Sequence, residues 1–246
     1  MAWTDSKNNM KEMFRKGTPK EIAAYIWGYY KWHICAVVFL LIVAVNILYA
    51  NITEKEHVLQ GFFLNALVEE ETAEKLERDY LAVYPIDEGK EDINFDVSRY
   101  YVPEIDKTSS YENLELVSVQ MIAGSADFAV ADHELMTQLA YSGLLCELSE
   151  VLPEVCMETY ADCFLYYDRA IAEGMRNGDD IPDTYPDPDK PEEMEDPVPI
   201  MIDLSGSERV AEFYPMSKHS YAFGFGVQVS NPENARNLLA YLTSRP

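Results

Sequence analysis

An uncharged, strongly apolar stretch near the N-terminus constrains this chain more than any other feature. Residues 34–50 read ICAVVFLLIVAVNILYA, in which Asn46 is the strongly polar side chain. Extended to Ile52, the stretch reaches about the 20 residues that a helix needs to cross a hydrocarbon core of about 30 Å. A segment that crosses lipid alone must form all its backbone hydrogen bonds within itself, and only a helix does so. The sequence therefore predicts a transmembrane helix over residues 34–52, with membrane lipid as its partner.

The residues that flank this stretch predict its orientation. Tyr49 lies near its end and four aromatic residues precede it, at positions where such rings meet a bilayer interface: Trp27, Tyr29, Tyr30 and Trp32. Residues 1–33 carry six basic and three acidic side chains, a net charge of +3. Because basic residues favour the cytoplasmic side, we expect residues 1–33 inside the cell and the C-terminal part outside it. Within this basic tail, residues 19–30 are predicted to form a short amphipathic helix that leads into the span.

Other interpretations of the apolar stretch are weaker. A cleaved signal peptide has a shorter N-terminal region and an apolar core of about 7 to 15 residues, although Ala50 could serve a peptidase. A lipoprotein would carry its cysteine at the end of the apolar run, whereas Cys35 stands at the beginning. A helix buried in a globular core is a third alternative. The length of the stretch and its aromatic flanks favour an uncleaved anchor.

The rest of the chain is very acidic. After residue 50 it carries 13 basic and 40 acidic side chains, a net charge of −27. Phosphate binding requires a basic patch, and such a surface repels both nucleic acid and anionic lipid headgroups. The sequence therefore excludes DNA and RNA as partners. Overall, 48% of residues are hydrophobic, which is typical of a chain that folds around a core.

The outer part of the chain, residues 53–246, alternates between strand and helix patterns. Short apolar runs predict strands, and helical spacing of apolar residues predicts helices between them. The predicted order is strand 58–67, helix 72–84, strand 93–102, helix 109–123, strand 124–132, helix 133–141, strand 198–204, short helix 207–213, strand 221–229 and a final helix that begins after Asn231. Alternation of this kind predicts parallel strands with helices on the faces, an α/β fold built by right-handed crossovers.

Two glycines in the last predicted strand invite a phosphate-loop interpretation. Gly224 and Gly226 lie in an alternating apolar run, and neither a GxGxxG pattern nor a lysine follows them. Close backbone packing is the better interpretation.

Residues 177–197 break the alternation. They contain nine acids and five prolines, which predicts an exposed loop, disordered or extended. Asp183, Asp187 and Asp189 suggest calcium, but the spacing lacks the glycine and closing glutamate of an EF-hand loop. We therefore expect a solvated acidic loop without a metal.

The cysteines do not predict a zinc site. Cys146, Cys156 and Cys163 form no CxxC pair and have no interleaved histidines. Either one disulfide among them or three small buried thiols would fit the pattern.

Several segments resemble bacterial extracellular solute-binding proteins. Residues 126–132, ADFAVAD, form a strand that ends in aspartate, and residues 139–152, LAYSGLLCELSEVL, continue through a helix end and a glycine to a leucine–acid–leucine–serine phrase. Residues 199–205 and 230–242 are similar to a later strand and the helix after it. The resemblance implies a periplasmic-binding-protein-like α/β domain. The length left after the anchor implies one lobe, or two much reduced lobes, with the transmembrane helix in place of a lipid tether.

Candidate ligand-binding residues follow from the strand order. Ligands of open α/β sheets bind beyond the carboxyl ends of strands at a switch point, which nominates Asn65, Arg99 and Asp132. Each has a structural alternative: Asn65 as a turn former, Arg99 as a surface ion pair and Asp132 as a helix cap. Neither a GxSxG nor an HExxH pattern is present, so we expect neither an enzyme nor a cofactor. The sequence predicts a binding or sensing module for an unidentified small molecule, or alternatively an accessory subunit that binds another membrane protein.

Overall fold

The computed structural model describes residues 18–53, 55–178, 182, 184–215 and 220–243; in the first range, the side chains of Glu21, Tyr25, Ile26, Tyr29 and residues 47–53 are not described. Residues 1–17 of the predicted basic tail and Asp183 of the predicted acidic loop lie outside these ranges. The chain divides into two compact units, residues 1–54 and 55–246.

The described part of the first unit is one helix, α1, Pro19–Thr53, 35 residues long. Proline suits its first position because its missing N–H would have no helical partner there. Residues 37–43 all expose apolar side chains, and seven consecutive positions cover every face of a helix. The Asn46 side-chain amide donates to the Ile42 carbonyl at 2.8 Å, so this polar group is bonded within the helix. Among the described residues, no helix is found that is both long and apolar enough to cross a membrane.

The second unit is built on one six-stranded sheet. The strands are β1 Glu56–Phe63, β2 Glu91–Asp96, β3 Phe128–Asp132, β4 Phe164–Asp168, β5 Pro197–Asp203 and β6 Tyr221–Phe225. Their order across the sheet is β2-β1-β3-β6-β5-β4. The helices are α2 Glu70–Val83, α3 Lys107–Ile122, α4 His133–Tyr141, α5 Leu148–Val151, α6 Glu154–Tyr160, α7 Arg169–Asn177, α8 Glu208–Ala211 and α9 Pro232–Thr243, with 3-10 turns at Ala161–Cys163 and Pro191–Glu193. This architecture confirms the predicted α/β class.

The strand directions correct part of the prediction. Strands β1, β2 and β3 are parallel, as the alternation predicts. Strand β6 is antiparallel to both β3 and β5, so the prediction of parallel strands is wrong for β6. Strand β4, which the sequence analysis did not predict, is antiparallel to β5. Strands β1, β2, β3 and β5 therefore end at one edge of the sheet, which we call the carboxyl edge. The chain passes from β1 to β2 on one side and then to β3 on the other, which places a switch point between β1 and β3.

Helices cover both faces of the sheet. On one face, Phe63, Phe128 and Phe223 pack beneath α2 and α9, and the rings of Phe128 and Phe223 stack at 5.5 Å. On the other face, Met121 of α3 and Met136 of α4 belong to an apolar cluster that includes strand residues such as Phe62. With apolar contacts on both sides, all five residues of β6 and the first four of β3 are buried.

Part of the predicted acidic loop runs along the edge strand β4. We call residues 184–197 the strap. Its Pro188 carbonyl accepts a hydrogen bond from the N–H of Tyr166 in β4 at 3.0 Å. The Tyr185 ring stacks on Tyr141 with centroids 4.1 Å apart. At the other end of the strap, the buried Asp168 carboxylate accepts the N–H groups of residues 195 and 196 at 2.7 and 3.2 Å. These contacts hold the described strap residues against β4.

The four cysteines are free thiols in this structure. Cys146 is buried, and burial raises the pKa of its thiol to about 12, the largest cause being the loss of water around it. Cys156 and Cys163 are half-buried and pack against the apolar cluster that contains Cys146. A thiol with a raised pKa is a poor nucleophile, so Cys146 serves as a small apolar core residue.

Candidate functional site: a groove at the carboxyl edge

Asn65 joins the ends of β1 and β2. It lies just after β1 with φ of 59°, in the left-handed region that asparagine tolerates better than most residues. Its side-chain oxygen accepts from the Tyr101 N–H at 2.7 Å, and its amide donates to the Tyr101 carbonyl at 3.3 Å. Its own N–H donates to the Arg99 carbonyl at 3.0 Å. Asn65 thus holds the segment after β2 in place, in keeping with its interpretation as a turn former.

Arg99 forms an ion pair close to the end of β2. Its Nε atom lies 3.0 Å from a carboxylate oxygen of Asp96, with both side chains partly buried. Burial acts to raise the pKa of Asp96, but hydrogen bonds from Ser98 and Arg99 outweigh it and the pKa is lowered. The charge of Arg99 is therefore already balanced within the protein.

Asp132 ends β3 and begins α4. One of its carboxylate oxygens accepts from the Leu135 N–H at 2.9 Å, which satisfies one of the unpaired donors of the first helical turn. Asp132 is thus a helix cap, the structural alternative that the sequence suggested.

Sequence reasoning missed a histidine–aspartate pair beside Asp132. The Nε2 atom of His133 lies 3.2 Å from an Asp203 oxygen at the end of β5, and its Nδ1 atom lies 3.8 Å from Asp189 in the strap. Burial acts to raise the pKa of Asp203, yet hydrogen bonds from His133 and Ser205 lower it. Both His133 and Asp203 stand at strand ends, but the pairing of β3 and β5 through β6 brings them together, and no sequence spacing reveals that order.

Three adjoining cavities lie along the carboxyl edge. An apolar cavity of about 340 Å³ is lined by Asn65, Ala66, Leu67, Val97, Ser98, Arg99, Tyr100, Val102 and Ile105. An acidic cavity of about 140 Å³ is lined by Asn65, Tyr101, Pro103, Glu104, Asp132, Glu134, Leu135 and Gln138. A strap cavity of about 470 Å³ is lined by His133, Glu134, Thr137, Gln138 and residues 184–188. Asn65 is common to the first two cavities, and Glu134 and Gln138 are common to the last two, so we call the set the carboxyl-edge groove.

The groove brings together all three residues that the sequence nominated. Asn65 and Asp132 line its acidic cavity, and Asn65 and Arg99 line its apolar cavity. The sequence did not nominate Tyr101, Ile105 or Gln138, because they come from a loop and a helix that only the fold places at this edge. A ligand role for the three nominated residues stays a prediction, since each also has the structural role described above.

Charge is distributed unevenly along the groove. Three carboxylates line the acidic cavity, those of Glu104, Asp132 and Glu134. Among the described residues that line the groove, Arg99 is the only arginine or lysine, and it is paired with Asp96. The three carboxylates form no ion pair with any arginine or lysine that the structure describes. The middle of the groove is therefore a negatively charged recess.

A cavity of about 580 Å³ lies at the opposite edge, where β4 and β6 end. Two of the charged residues that line it are paired with each other, because Arg169 donates to both carboxylate oxygens of Glu147, at 3.1 and 2.9 Å. Asp187 and Asp189 of the suggested calcium site belong to a turn in which Asp187 accepts from the Asp189 N–H at 3.1 Å. Within the described ranges, no group of three or more histidine, cysteine or acidic side chains is placed to hold a metal ion.

Comparison of the chain with models of known protein families and with curated proteins found no match.

Proposed function

We propose that this chain is a membrane-anchored extracytoplasmic binding or sensing module whose ligand occupies the carboxyl-edge groove. The observation that carries the proposal is the position of the groove, which lies across the switch point between β1 and β3. Open α/β sheets bind ligands there because the strand ends diverge and leave a crevice. The resemblance to solute-binding proteins supports the same assignment, with this unit as a reduced lobe.

The proposed anchor is residues 34–52. These residues carry no charged side chain and lie within the continuous helix α1, Pro19–Thr53. The apolar side chains of residues 37–43 are exposed on every face, as expected of a helix that meets lipid on all sides. The net charge of +3 before the anchor and −27 after it supports a cytoplasmic tail and an extracellular α/β unit.

We assign no catalytic role to the groove. Its histidine, His133, bonds the Asp203 carboxylate, and Ser205 bonds the same carboxylate rather than the imidazole. A serine nucleophile requires the imidazole itself as its base, so this arrangement differs from a catalytic triad.

A ligand screen with the full-length chain in detergent tests the binding role. Sugars, amino acids, short peptides, amines and divalent ions are compared for their effect on the melting temperature of the α/β unit, because a ligand of the folded state raises it. All three tryptophans precede residue 33 and 13 of the 17 tyrosines lie after residue 54, so tyrosine signals report mainly the α/β unit. We expect at least one class to stabilise the protein. A screen in which no compound raises the melting temperature would contradict the binding role.

Groove-filling variants locate any ligand that the screen finds. Ala66→Trp places an indole in the apolar cavity, and Gln138→Trp places one between the acidic and strap cavities, in case the first variant does not fold. Val155→Trp, on the exposed side of α6, is the matched control. We expect ligand stabilisation to persist in the control and to disappear in the filled variants. Equal stabilisation of all variants would place the site elsewhere and overturn the assignment to the groove.

A second candidate function is an accessory subunit of a membrane complex. The observation that favours it is an exposed apolar strip on the outer face of α3, where Leu116, Val119 and Ile122 are 46%, 57% and 56% exposed. Such strips often mark protein contacts. Cross-linking in membranes that recovers only the monomer, together with saturable binding of a small molecule, would reject this second candidate.

A further inference from the structure

The two cavities joined at Asn65 have complementary chemistry. The apolar cavity is formed mainly by aliphatic side chains, including Leu67, Val97 and Ile105. Leu67 and Ile105 are 67% and 85% exposed, so large aliphatic groups stand open to solvent at its mouth. Apolar surface of this kind gains free energy when a ligand covers it, by roughly 25 cal/mol per Å².

The size of each cavity limits what it can hold. A cavity of about 150 Å³ is enough for a benzene ring, so the 340 Å³ of the apolar cavity accommodates a side chain as large as a phenyl or branched aliphatic group. The acidic cavity, at about 140 Å³, is the smaller of the two, and most of the side chains that line it are polar or charged, so it suits a small polar head group. The two share Asn65, so one ligand can occupy both.

The charge of the acidic cavity selects the head group. Glu104, Asp132 and Glu134 give it three carboxylates, and Arg99, the only arginine or lysine among the described residues that line the groove, is held by Asp96. Tyr101 also lines the cavity, and the face of an aromatic ring attracts an ammonium group. An anion would meet uncompensated negative charge there, whereas a cation would meet acceptors.

We infer that the ligand of the carboxyl-edge groove is a hydrophobic amine, whose ammonium group occupies the acidic cavity and whose apolar arm occupies the apolar cavity. This inference rests on the proposed binding function and specifies its ligand class. Electrostatic attraction by the acidic unit raises the rate at which such a cation arrives, and the two adjoining cavities fix its orientation.

Three probes of nearly the same shape test the inference: 2-phenylethylamine, 2-phenylethanol and phenylacetate, which differ in the charge of the head group. Binding to the full-length chain in detergent is measured by calorimetry at low salt and again at about 0.15 M salt, where exposed charges are screened beyond about 8 Å. We expect the amine to bind most tightly, the alcohol weakly and the phenylacetate not at all. Amine binding should weaken with added salt.

Variants separate local recognition from general attraction. Glu134→Gln and Glu104→Gln each remove one carboxylate from the acidic cavity, and each should weaken amine binding by up to about fivefold, the range of a partly exposed ion pair. Glu88→Gln, an exposed acid elsewhere, changes the net charge equally and should leave binding unchanged. Ile105→Ser should weaken the amine and the alcohol alike. If Glu134→Gln and Glu88→Gln weaken amine binding equally, the amine is attracted only by the overall charge of the protein, and the inference is wrong.

The remaining outcomes distinguish the ligand class from the binding function. If the alcohol or the phenylacetate binds as tightly as the amine, or if no probe binds while the screen finds another groove ligand, the hydrophobic-amine inference is wrong and the binding function stands. If no compound in the screen raises the melting temperature either, both are wrong.

Discussion

Gly226 shows at the scale of one residue why close packing, rather than phosphate binding, accounts for the glycines at the end of β6. A Cβ atom added at Gly226 would lie 2.5 Å from the Ala126 carbonyl oxygen. The Gly226 N–H also donates to the Asp127 carbonyl at 2.8 Å, so the two backbones are held together by a hydrogen bond. A side chain at this position would force two hydrogen-bonded segments apart.

Gly226→Ala should therefore destabilise the α/β unit by about 1–3 kcal/mol, the usual cost of overpacking against backbone that cannot yield. Gly206→Ala is the matched control, because a Cβ atom there would meet nothing within 4 Å. Urea unfolding of the full-length chain, followed by near-UV circular dichroism of tyrosine, measures both. Equal stability of the two variants would show that the contact at Ala126 relaxes without cost.

For the nominated residues Asn65, Arg99 and Asp132, position along the chain and bonding partners were not equally predictable from the sequence. Their positions after strands were predictable, because each follows a recognisable apolar run. The partners of Arg99 and Asp132 are local, at Asp96 and Leu135, whereas the bond between Asn65 and Tyr101 joins residues far apart in the chain and was not predictable. Tyr101 comes from a loop whose placement beside the end of β1 depends on the pairing of β1 with β2.

At the scale of elements, the sheet has two edge strands, and both are protected. In β2, the N–H of Phe95 donates to the Glu77 carboxylate at 2.7 Å, and the N–H of Ile93 donates to the Asp92 side chain at 2.9 Å. In β4, the N–H of Tyr166 donates to the strap at Pro188. An unpaired edge strand is a template for pairing with another chain, so these contacts guard against aggregation.

The stability of the α/β unit should depend on pH through Glu77. Burial is the main cause that raises the pKa of Glu77 to about 7, with further contributions from Asp92 and Glu74, although the Phe95 N–H acts against it. A carboxyl whose pKa is higher in the folded state stabilises that state when protonated. This contribution is present below about pH 4.5 and is lost as the pH rises to about 7.

Glu77→Gln should remove this dependence while it keeps an oxygen that can accept from Phe95. The variant should gain stability relative to the natural chain as the pH is raised from 5 to 8. Urea unfolding at both pH values measures the difference, and Glu71→Gln, an exposed acid on the same helix, is the control. A pH profile of Glu77→Gln parallel to that of the natural chain would contradict the assignment.

The sequence predicted the first three strands better than the last three. The parallel strands β1, β2 and β3 and the helices between them follow from apolar runs and helical spacing. Strand β4 was missed, because five residues between a 3-10 turn and a helix carry little periodicity and their partner β5 lies about thirty residues later. The reversed directions of β4 and β6 likewise depend on long connections whose path local sequence does not encode.

At the scale of the whole molecule, the proposed membrane anchor would fix the α/β unit to a membrane, and its lack of charged side chains favours insertion. A charged side chain at the centre of a transmembrane helix costs about 2.5–3.5 kcal/mol on insertion scales. The described part of α1 has no charged residue after Lys31, and the same unit carries the basic tail.

The intact chain should stay in the membrane pellet after an alkaline carbonate wash, and protease added to intact cells should digest the α/β unit. Replacing Phe39 and Leu41 by lysine should shift the protein to the soluble fraction, whereas lysine at the exposed Leu67 of the α/β unit should not. A soluble form that begins near residue 51 would contradict the anchor and favour a cleaved signal.

The sequence by itself determined the α/β class, the positions of β1, β2 and β3 and the strongly acidic character of the unit that carries them. These properties follow from local spacing and composition, which any segment shows without its partners. Only the tertiary structure decided the mixed strand directions, the His133–Asp203 pair, the strap along β4 and the placement of three adjoining cavities along the carboxyl edge. Each of these depends on contacts between residues far apart in the chain, and the free energy of such contacts belongs to the packed fold rather than to any segment.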